Sequence, residues 1–145
     1  MEEQKYPFNI VSNETRYEFI STDGTKEIKK VVAITEVDNN ILYNLALLDE
    51  LENDELSDIS ESRNKDTRMI LATVFQIVNV YLEKHPNHLL IFKGSDERRQ
   101  RLYRIVIERE LVNILPKFTI FGYYDGQLMP LKSNEKSDYF LIKRK

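Results

Sequence analysis

The sequence predicts one α+β domain with a mostly antiparallel sheet and two main helices. Strand-like segments occur near both ends of the chain, and two long helical segments flank one short strand between them. The resulting order is βββ-α-β-α-ββ(β), without the regular alternation of helix and strand that a doubly wound α/β fold requires. The 145 residues are the size of one ordinary domain. Because no repeat or linker divides them, residues 1–145 are interpreted as a single domain.

Three segments in the first third of the chain are rich in β-branched and aromatic residues, as strands are. They are residues 16–21, 26–37 and 41–48, with 6–10 as a candidate edge strand. Asp23-Gly24 separates the first two segments, and this pair is favoured in two-residue hairpins because both positions need a positive φ. A second turn falls at Asp38-Asn39-Asn40. Since 31–34 and 45–48 are apolar on both faces, we expect central strands covered on both sides.

An acidic connection occupies about residues 49–65, between the third strand and the first helix. Its carboxylates are interspersed with serines, which is typical of a solvated, mobile segment. Two functional interpretations stand beside this one: a cation site, and a mimic of nucleic-acid charge. A calcium loop needs a glycine at its sharp turn, and this stretch contains none. The sequence therefore favours the mobile connection.

The first helix is predicted from Asp66 or Thr67 to Lys84, and His85-Pro86-Asn87 ends it. Its apolar residues cover most of the circumference, and only a narrow polar strip is left for solvent. The strip consists of Ala72, Gln76, Asn79 and Glu83. A helix of this composition is mostly buried, so it is predicted to be the main core helix, packed on the sheet.

The second half of the chain contains the remaining elements. A short buried strand is predicted at 89–92, and a second helix at 96–114 that Pro116 ends. A hairpin then folds about Asp125-Gly126, and a final strand closes the domain. These strands are 118–124, 127–131 and 138–143. The second helix is long enough to connect a pair of parallel strands.

Composition excludes several classes of chemistry. The chain has no cysteine, which rules out disulfides, thiol nucleophiles and cysteine-ligated metals. Its formal net charge of −3 disfavours nucleic-acid binding outside a local basic patch. No apolar run reaches the ~20 residues of a membrane span, and no signal-peptide pattern follows Met1. We therefore expect a cytoplasmic protein that does not bind membranes.

The segment from residue 93 to residue 104 is the candidate ligand site, because a strand ends there and an arginine-rich helix begins. Its candidate binding residues are Lys93, Ser95, Arg98, Arg99, Arg101 and Tyr103. A purely structural interpretation is also available, with Ser95 as the helix N-cap and Glu97–Arg101 as a surface ion pair. In the functional interpretation, side chains of the segment hold phosphate oxygens beside an aromatic ring. Arg99 is then the better ligand contact and Arg101 the surface ion pair.

The same segment carries a family resemblance. It lies in the Gly94-Ser95 turn and in Arg99, Arg101, Leu102 and Tyr103, and it continues in 118–122 and 139–143. These stretches resemble a family of small uncharacterised proteins from Bacteroidota that is known only as a domain of unknown function. The resemblance covers most of the chain. It implies a bacterial source and a similar size, and it implies no activity.

Other apparent sites lack the residues that their chemistry needs. His85 and His88 are the only histidines, whereas zinc sites use three or four protein ligands, so no metal is predicted. Ser95 has no nucleophile-elbow context. No catalytic residue is assigned, no cofactor is expected, and an enzyme is not favoured.

The sequence favours a non-catalytic interaction module that binds a protein partner or a second copy of itself. The alternative is a metal-independent RNA- or nucleotide-binding protein, or a small ribonuclease, that uses the patch of Lys93, Arg99, Arg101 and Tyr103. A third interpretation is a small-molecule pocket between helix and sheet.

Overall fold

The computed structural model describes residues 5–11, 15–22, 27–50, 56–57, 67–109, 116–131 and 136–145. Within these ranges the helices are α1 (Thr67–Lys84) and α2 (Glu97–Arg109). The strands are β1 (Asn9–Val11), β2 (Arg16–Thr22), β3 (Glu27–Asp38), β4 (Leu42–Glu50), β5 (Leu56–Ser57), β6 (Leu89–Phe92), β7 (Phe118–Tyr124), β8 (Gln127–Pro130) and β9 (Tyr139–Arg144). The predicted α+β class and element order are confirmed.

All described strands belong to one sheet in the order β1-β2-β3-β4-β6-β9-β7-β8, and β5 pairs with the end of β4. The β4–β6 pair is parallel, and the other described pairs are antiparallel. The parallel pair is therefore connected by α1 and not by α2. The strands before and after α2, β6 and β7, are separated in the sheet because β9 lies between them and pairs with both.

Two of the predicted turns have the backbone that their sequences favour. Asn39 and Asn40 have φ values of 51° and 57°, and Asp125 and Gly126 have values of 52° and 77°. Two successive positive φ angles fit the twist of an antiparallel hairpin. The Asp23-Gly24 turn lies outside the described residues, but the strands on either side pair antiparallel, as predicted.

Both helices pack on the same face of the sheet. Ring contacts connect α1 to β4 through Tyr81 and Tyr43, and α2 to β6 through Tyr103 and Phe92. Strand residues on this face are buried, and the residues between them are half-buried, an alternation that is clear in β6 and β9. The expectation of cover on both faces is therefore wrong for the described helices. We call the other side the open face; its half-buried apolar side chains are Ala33, Leu42, Ala46, Leu48, Leu89, Ile91, Phe121, Tyr123, Tyr139 and Leu141.

The helix face forms one hydrophobic core with α1 at its centre. Its largest fully buried side chains include Tyr17, Phe92, Phe140, Leu71, Ile77 and Leu82. The predicted solvent-facing polar strip of α1 is also confirmed, because Ala72, Gln76 and Asn79 are half-buried and Glu83 is exposed. α1 is therefore the core helix that its apolar circumference predicts.

Four charged side chains cover Val31 on the open face. Lys29 Nζ lies 3.1 Å from Glu18 and 3.4 Å from Glu50, and Arg16 lies 3.0 Å from Glu18 and 3.9 Å from Glu50. Burial raises the pKa of Glu18, but hydrogen bonds from Lys29 and Arg16 outweigh it and lower the pKa below its usual value. Val31 is fully buried beneath this network. The charges thus protect an apolar position that no described helix covers.

The acidic connection begins later than predicted. Asp49 and Glu50 belong to β4, and Asp49 is buried against Lys30. Residues 56–57 form β5, and the rest of the predicted 49–65 segment lies outside the described residues. α2 begins one residue after its predicted start, and its predicted last turn is outside the described residues as well. Neither described helix combines the length and apolarity needed to cross a membrane.

Replacing Phe75 by alanine is expected to lower the free energy of unfolding by about 3–5 kcal/mol, because the lost ring leaves a cavity in the core. Phe75 is 8% exposed, and its ring centre lies 6.3 Å from that of Phe118. Urea unfolding followed by circular dichroism measures the change. Leu102→Ala is the control: Leu102 is 41% exposed, so its loss should be within about 0.5 kcal/mol. A loss below about 1 kcal/mol at Phe75 would contradict the core position of α1.

Candidate functional site

The candidate segment starts with a close contact between two stretches of backbone. A Cβ atom at Gly94 would lie 2.4 Å from the backbone nitrogen of Gln100 and 2.7 Å from the carbonyl carbon of Arg99. Backbone atoms cannot yield as a flexible side chain can, so only glycine fits at this position. The sequence suggested a simple turn here, whereas the structure packs residue 94 directly against the first turn of α2.

Asp96, and not Ser95, caps α2. The Asp96 carboxylate accepts a hydrogen bond of 2.8 Å from the backbone N–H of Arg99, the third residue of the helix. This is the geometry of an N-cap, so the predicted cap was one residue too early. Ser95 has another role, because its Oγ accepts a 2.8 Å hydrogen bond from the Arg99 guanidinium. The same guanidinium nitrogen lies 3.2 Å from Asp96.

Gln100 connects three parts of the chain. Its side-chain oxygen accepts a 2.8 Å hydrogen bond from the N–H of Gly94, and its side-chain nitrogen donates to Ser137 Oγ at 3.2 Å. Gln100 and Ser137 are both buried, so these bonds lie within the protein interior. A buried amide with partners on both atoms holds the end of β6, the start of α2 and the segment before β9 together.

The structure separates the cations that the sequence grouped into one patch. Arg99 bends back onto Ser95 and Asp96, whereas Lys93, Arg98 and Arg101 are exposed. Among the described residues, neither Lys93 nor Arg101 forms an ion pair, so the predicted Glu97–Arg101 pair is not formed. The segment therefore presents scattered exposed cations and one arginine that is held by its own helix start.

Tyr103 is turned towards the interior. Its ring stacks on Phe92 with a centroid distance of 5.1 Å and an interplanar angle of 12°. Burial raises the pKa of Tyr103, the charge of nearby Arg99 opposes that rise, and the carboxylates of Asp49 and Asp96 add to it. Tyr103 thus packs β6 against α2 and is close enough to Arg99 to sense its charge.

Sequence analysis missed a buried ion pair near Tyr103. The ammonium of Lys30 on β3 lies 2.5 Å from the carboxylate of Asp49 on β4, and the two side chains are 5% and 7% exposed. The residues are cross-strand partners on the helix face. Removing one member of such a pair leaves a buried charge and is strongly destabilising. The sequence pattern that indicates such a pair is a lysine at an inward-facing position of one strand. An aspartate then lies at an inward-facing position of the neighbouring strand, opposite the lysine.

The two histidines belong to a cluster of rings at the opposite end of the parallel pair. His88 lies between Tyr43, at a centroid distance of 4.3 Å, and His85, at 4.7 Å, and both rings are nearly parallel to it. We call these three rings the ring column. The Tyr81 hydroxyl lies 2.8 Å from His88 Nδ1, and burial raises the pKa of Tyr81 to about 12. Tyr81 therefore stays protonated near neutral pH, and its hydroxyl is hydrogen-bonded to the His88 ring.

A shallow pocket of about 360 Å³ lies beside the β7–β8 hairpin and not between helix and sheet. Its walls include Gly122, Tyr124, Met129, Leu131, Lys136 and Ser137. A Cβ at Gly122 would approach the Cβ of Ser137 to 3.2 Å, so glycine lets the segment at 136–138 lie close to the sheet. No group of three acidic or histidine side chains suited to a metal occurs within the ranges that the structure covers.

Comparison with known proteins identifies a family without assigning an activity. A family model described as "Family of unknown function (DUF6934)" matches residues 2–145, nearly the whole chain. Neither the curated proteins nor the solved structures contain a significant match.

Replacing Gly94 by alanine is expected to destabilise the protein by about 1–3 kcal/mol, because the added methyl group overlaps the backbone of α2. Urea unfolding measures the difference from the wild type. Gly126→Asn is the matched control: an added Cβ there meets nothing within 4 Å, and asparagine tolerates the local φ of 77°. Equal stability of Gly94→Ala and the wild type would contradict the close backbone contact.

The stability of the protein is expected to fall as the pH drops through the range in which His88 titrates. Burial lowers the pKa of His88, and repulsion from His85 lowers it further, against a smaller opposite effect of Glu36. Below the usual histidine pKa of 6.5, the folded state then binds fewer protons than the unfolded state. The stability that neutral His88 contributes is therefore complete above this pH and is lost as the pH falls below it.

Unfolding by urea at pH 7.5 and 5.5 tests this prediction. His88→Gln removes the titrating group, so it should lose less stability between the two pH values than the wild type does. His85→Gln is the comparison: it keeps the His88 ring and removes only the repulsion from His85, so its loss should lie between those of the wild type and His88→Gln. The same loss in His88→Gln and the wild type would show that His88 does not contribute to the pH dependence.

Proposed function

We propose that this chain, which belongs to the family of unknown function DUF6934, is a non-catalytic interaction module that binds a second copy of itself through the open face. The observation that carries the proposal is the one-sided cover of the sheet. Along β6 and β9, the apolar side chains on the open face are half-buried, whereas their neighbours on the helix face are buried. Extended apolar surfaces of this kind are characteristic of interaction sites.

The edges of the sheet favour the face over strand addition as the binding surface. The outer strands β1 and β8 have three and four residues. Pro130 ends β8, and Pro7 lies two residues before β1. Short edge strands and prolines disfavour pairing with another chain. A partner is therefore expected to pack on the sheet and not to extend it.

The apolar side chains of the open face form two adjacent rows. In one row, Ile91, Leu141 and Phe121 are neighbours on consecutive strands. In the next row, Tyr139 and Tyr123 stack with a centroid distance of 4.6 Å. Rows of this kind match the packing of two sheets face to face, in which apolar side chains of both inner faces interdigitate.

The size of the surface fits a small but stable dimer interface. Five neighbouring strands, from β3 to β7 in the sheet order, contribute to it. At about 4.8 Å per strand and about six residues per strand, the area is roughly 500 Å² per copy. Two copies would bury roughly 1,000 Å², the lower limit for a specific interface. In an isologous dimer both copies contribute the same surface, and a sheet face can pack on a second copy of itself in this way.

The charges beside the apolar rows do not oppose this pairing. Arg16 and Lys29 are already paired with Glu18 and Glu50, so the network has two positive and two negative members and no net charge. Lys143, two residues beyond Leu141 on the same face, is an exposed cation at the end of the rows, but at the network itself a second copy meets a neutral border. Repulsion between like charges, which makes many symmetric contacts unfavourable, is therefore small here.

The RNA- or nucleotide-binding alternative at the candidate segment has weaker support. Two donors of Arg99 are used within the protein, towards Ser95 and Asp96, and Tyr103 packs inward on Phe92. Lys93 and Arg101 are exposed on different parts of the segment. A ligand at this position would meet the Asp96 carboxylate beside Arg99, which disfavours a phosphate.

Leu141→Glu is expected to convert a dimer into a monomer, because it places a charge in the middle of the apolar rows. Sedimentation measures the mass from about 1 to about 100 µM, a range that includes the dissociation constants of weak dimers. Leu102→Glu is the matched control, because Leu102 is an exposed leucine on α2, away from the open face. Urea unfolding of both variants confirms that each is folded.

A wild-type protein that stays monomeric throughout this concentration range would overturn the proposal. Equal dissociation by Leu141→Glu and Leu102→Glu would also contradict it, since the surface would then not be the open face. A dimer that only the variant at Leu141 dissociates is the result expected.

A further inference from the structure

The pocket beside the β7–β8 hairpin lies on the helix face, at the edge of the sheet. Gly122 and Tyr124 line it, and they alternate along β7 with Tyr123 of the open face. Met129, the cross-strand partner of Gly122, lines it from β8. The segment at 136–138 lies against Gly122 and forms the inner wall. The pocket is therefore on the opposite side of the sheet from the surface proposed for the dimer, and it does not depend on that dimer.

A buried hydroxyl group lines this pocket with its own proton unused. Ser137 is 8% exposed, and Gln100 fixes the direction of their shared hydrogen bond. Because the backbone N–H of Gly94 can only donate, the Gln100 amide turns its oxygen to Gly94 and its nitrogen to Ser137. Ser137 Oγ is therefore the acceptor in that bond, and its proton has no acceptor among the residues that the structure describes. A buried donor of this kind is destabilising until an acceptor is supplied.

A cation stands next to this hydroxyl in the chain and in the wall of the pocket. Lys136 lines the pocket and is exposed, and within the described ranges it forms no ion pair. An ammonium group and an O–H donor at neighbouring positions favour an anionic oxygen group. A carboxylate has two oxygens, one for each of these donors.

The other walls of the pocket are mostly apolar. They are formed by Met129, Pro130, Leu131 and the ring of Tyr124, with the neutral amide of Gln127 beside them. A methionine side chain adapts to the shape of an apolar ligand. The volume of about 360 Å³ is at the lower end of the range for small-molecule sites, about 300–1,000 Å³. The pocket therefore suits a short apolar chain and not a large cofactor.

One carboxylate of the protein, that of Asp125, also lines the pocket. Asp125 follows Gly122 by three positions, and three strand residues span about 10 Å. Ser137 lies against Gly122, so the Asp125 carboxylate belongs to the far end of the pocket. It opposes a second negative charge at that end and does not contact an anion held by Ser137.

We propose that this pocket binds a small aliphatic monocarboxylate. Its carboxylate accepts the proton of Ser137 in a hydrogen bond and lies beside the Lys136 ammonium. Its tail packs along Met129 towards Tyr124. The ligand thereby gives the buried hydroxyl the acceptor that the described residues do not provide.

The parts of the pocket distinguish this ligand from related ones. Inorganic phosphate would use Ser137 and Lys136 but would gain nothing from the apolar walls. A neutral alcohol of the same length would use the walls and leave Lys136 without a counter-charge. A dicarboxylate would place its second charge towards Asp125, where like charges repel. An aliphatic monocarboxylate is the class that uses the donors and the walls together.

The test is titration of hexanoate into the isotope-labelled full chain, followed by the amide chemical shifts in NMR spectra. Shifts are expected at Gly122, Met129 and Ser137, with a dissociation constant in the millimolar range that suits a small, open site. Three probes serve as comparisons: 1-hexanol, adipate and inorganic phosphate. Each should bind at least about fivefold more weakly than hexanoate, because each lacks one match to the pocket or adds a repelled charge.

Variants of the lining residues locate the ligand. Met129→Glu should abolish hexanoate binding, since it places a like charge in the pocket. Leu128→Glu is the matched control: Leu128 is the next residue of β8 and is similarly exposed, at 47% against 41%, but it pairs with Tyr123 on the open face.

Two further variants remove the donors one at a time. Ser137→Ala should weaken hexanoate binding about tenfold, as the loss of a hydrogen bond to a charged group does. Lys136→Gln should weaken it about two- to fivefold without affecting 1-hexanol, and Lys93→Gln, at an exposed cation outside the pocket, should change neither. Urea unfolding shows whether each variant is folded. Lys136 and Met129 are exposed, so they keep the test decisive if Ser137→Ala does not fold.

Several outcomes would overturn the proposal. One is the absence of hexanoate-dependent shifts at the amides that line the pocket, and another is an equal loss of binding in Met129→Glu and Leu128→Glu. Equal affinities for 1-hexanol and hexanoate would show that the pocket does not recognise a carboxylate. Leu141→Glu should bind hexanoate as the wild type does, so a failure of the dimer proposal and a failure of this one are distinguishable.

Discussion

The handedness of two crossover connections decides where the helices lie, and most other features of the protein follow from it. The chain passes from β4 through α1 to β6, and from β6 through α2 to β7, moving in the same direction across the sheet each time. Because β9 is antiparallel to both β6 and β7, the strands of each connection are parallel. Parallel crossovers are right-handed almost without exception, so both helices must lie on the same face.

One-sided cover explains how the rest of the molecule is built. The helix face holds the whole core, and even a lysine, Lys30, is buried there because Asp49 on the next strand neutralises it. Neither described helix covers the open face, and the most buried residue there, Val31, is protected by four paired charges instead. The apolar rows between β6 and β7 have neither kind of protection among the described residues. The binding role proposed for that surface rests on the layer order and on no single motif.

The two ends of the parallel pair have different characters. At the carboxyl end of β6, Gly94 and Gln100 form a tight, internally bonded junction in which Arg99 serves its own helix. At the other end, the ring column is half-buried, and four cations, Lys117, Lys143, Arg144 and Lys145, are exposed. Arg99 of the arginine-rich segment is therefore held by its own helix start, whereas those four cations form no ion pair within the part of the chain that the structure describes.

The sequence by itself determined the local elements, because their causes are local. Side-chain periodicity placed α1 at its observed bounds, and the Asp125-Gly126 and Asn39-Asn40 pairs determined turns whose φ angles are positive as expected. Only the tertiary structure decided that β9 lies between β6 and β7, that both described helices lie on one face and that Asp49 is buried. Each of these depends on partners far away in the chain: Lys30 precedes Asp49 by 19 positions, and nothing near Asp49 distinguishes it from the acidic residues that follow. Strand order depends on the free energy of the whole sheet, and no short segment of the sequence determines that free energy.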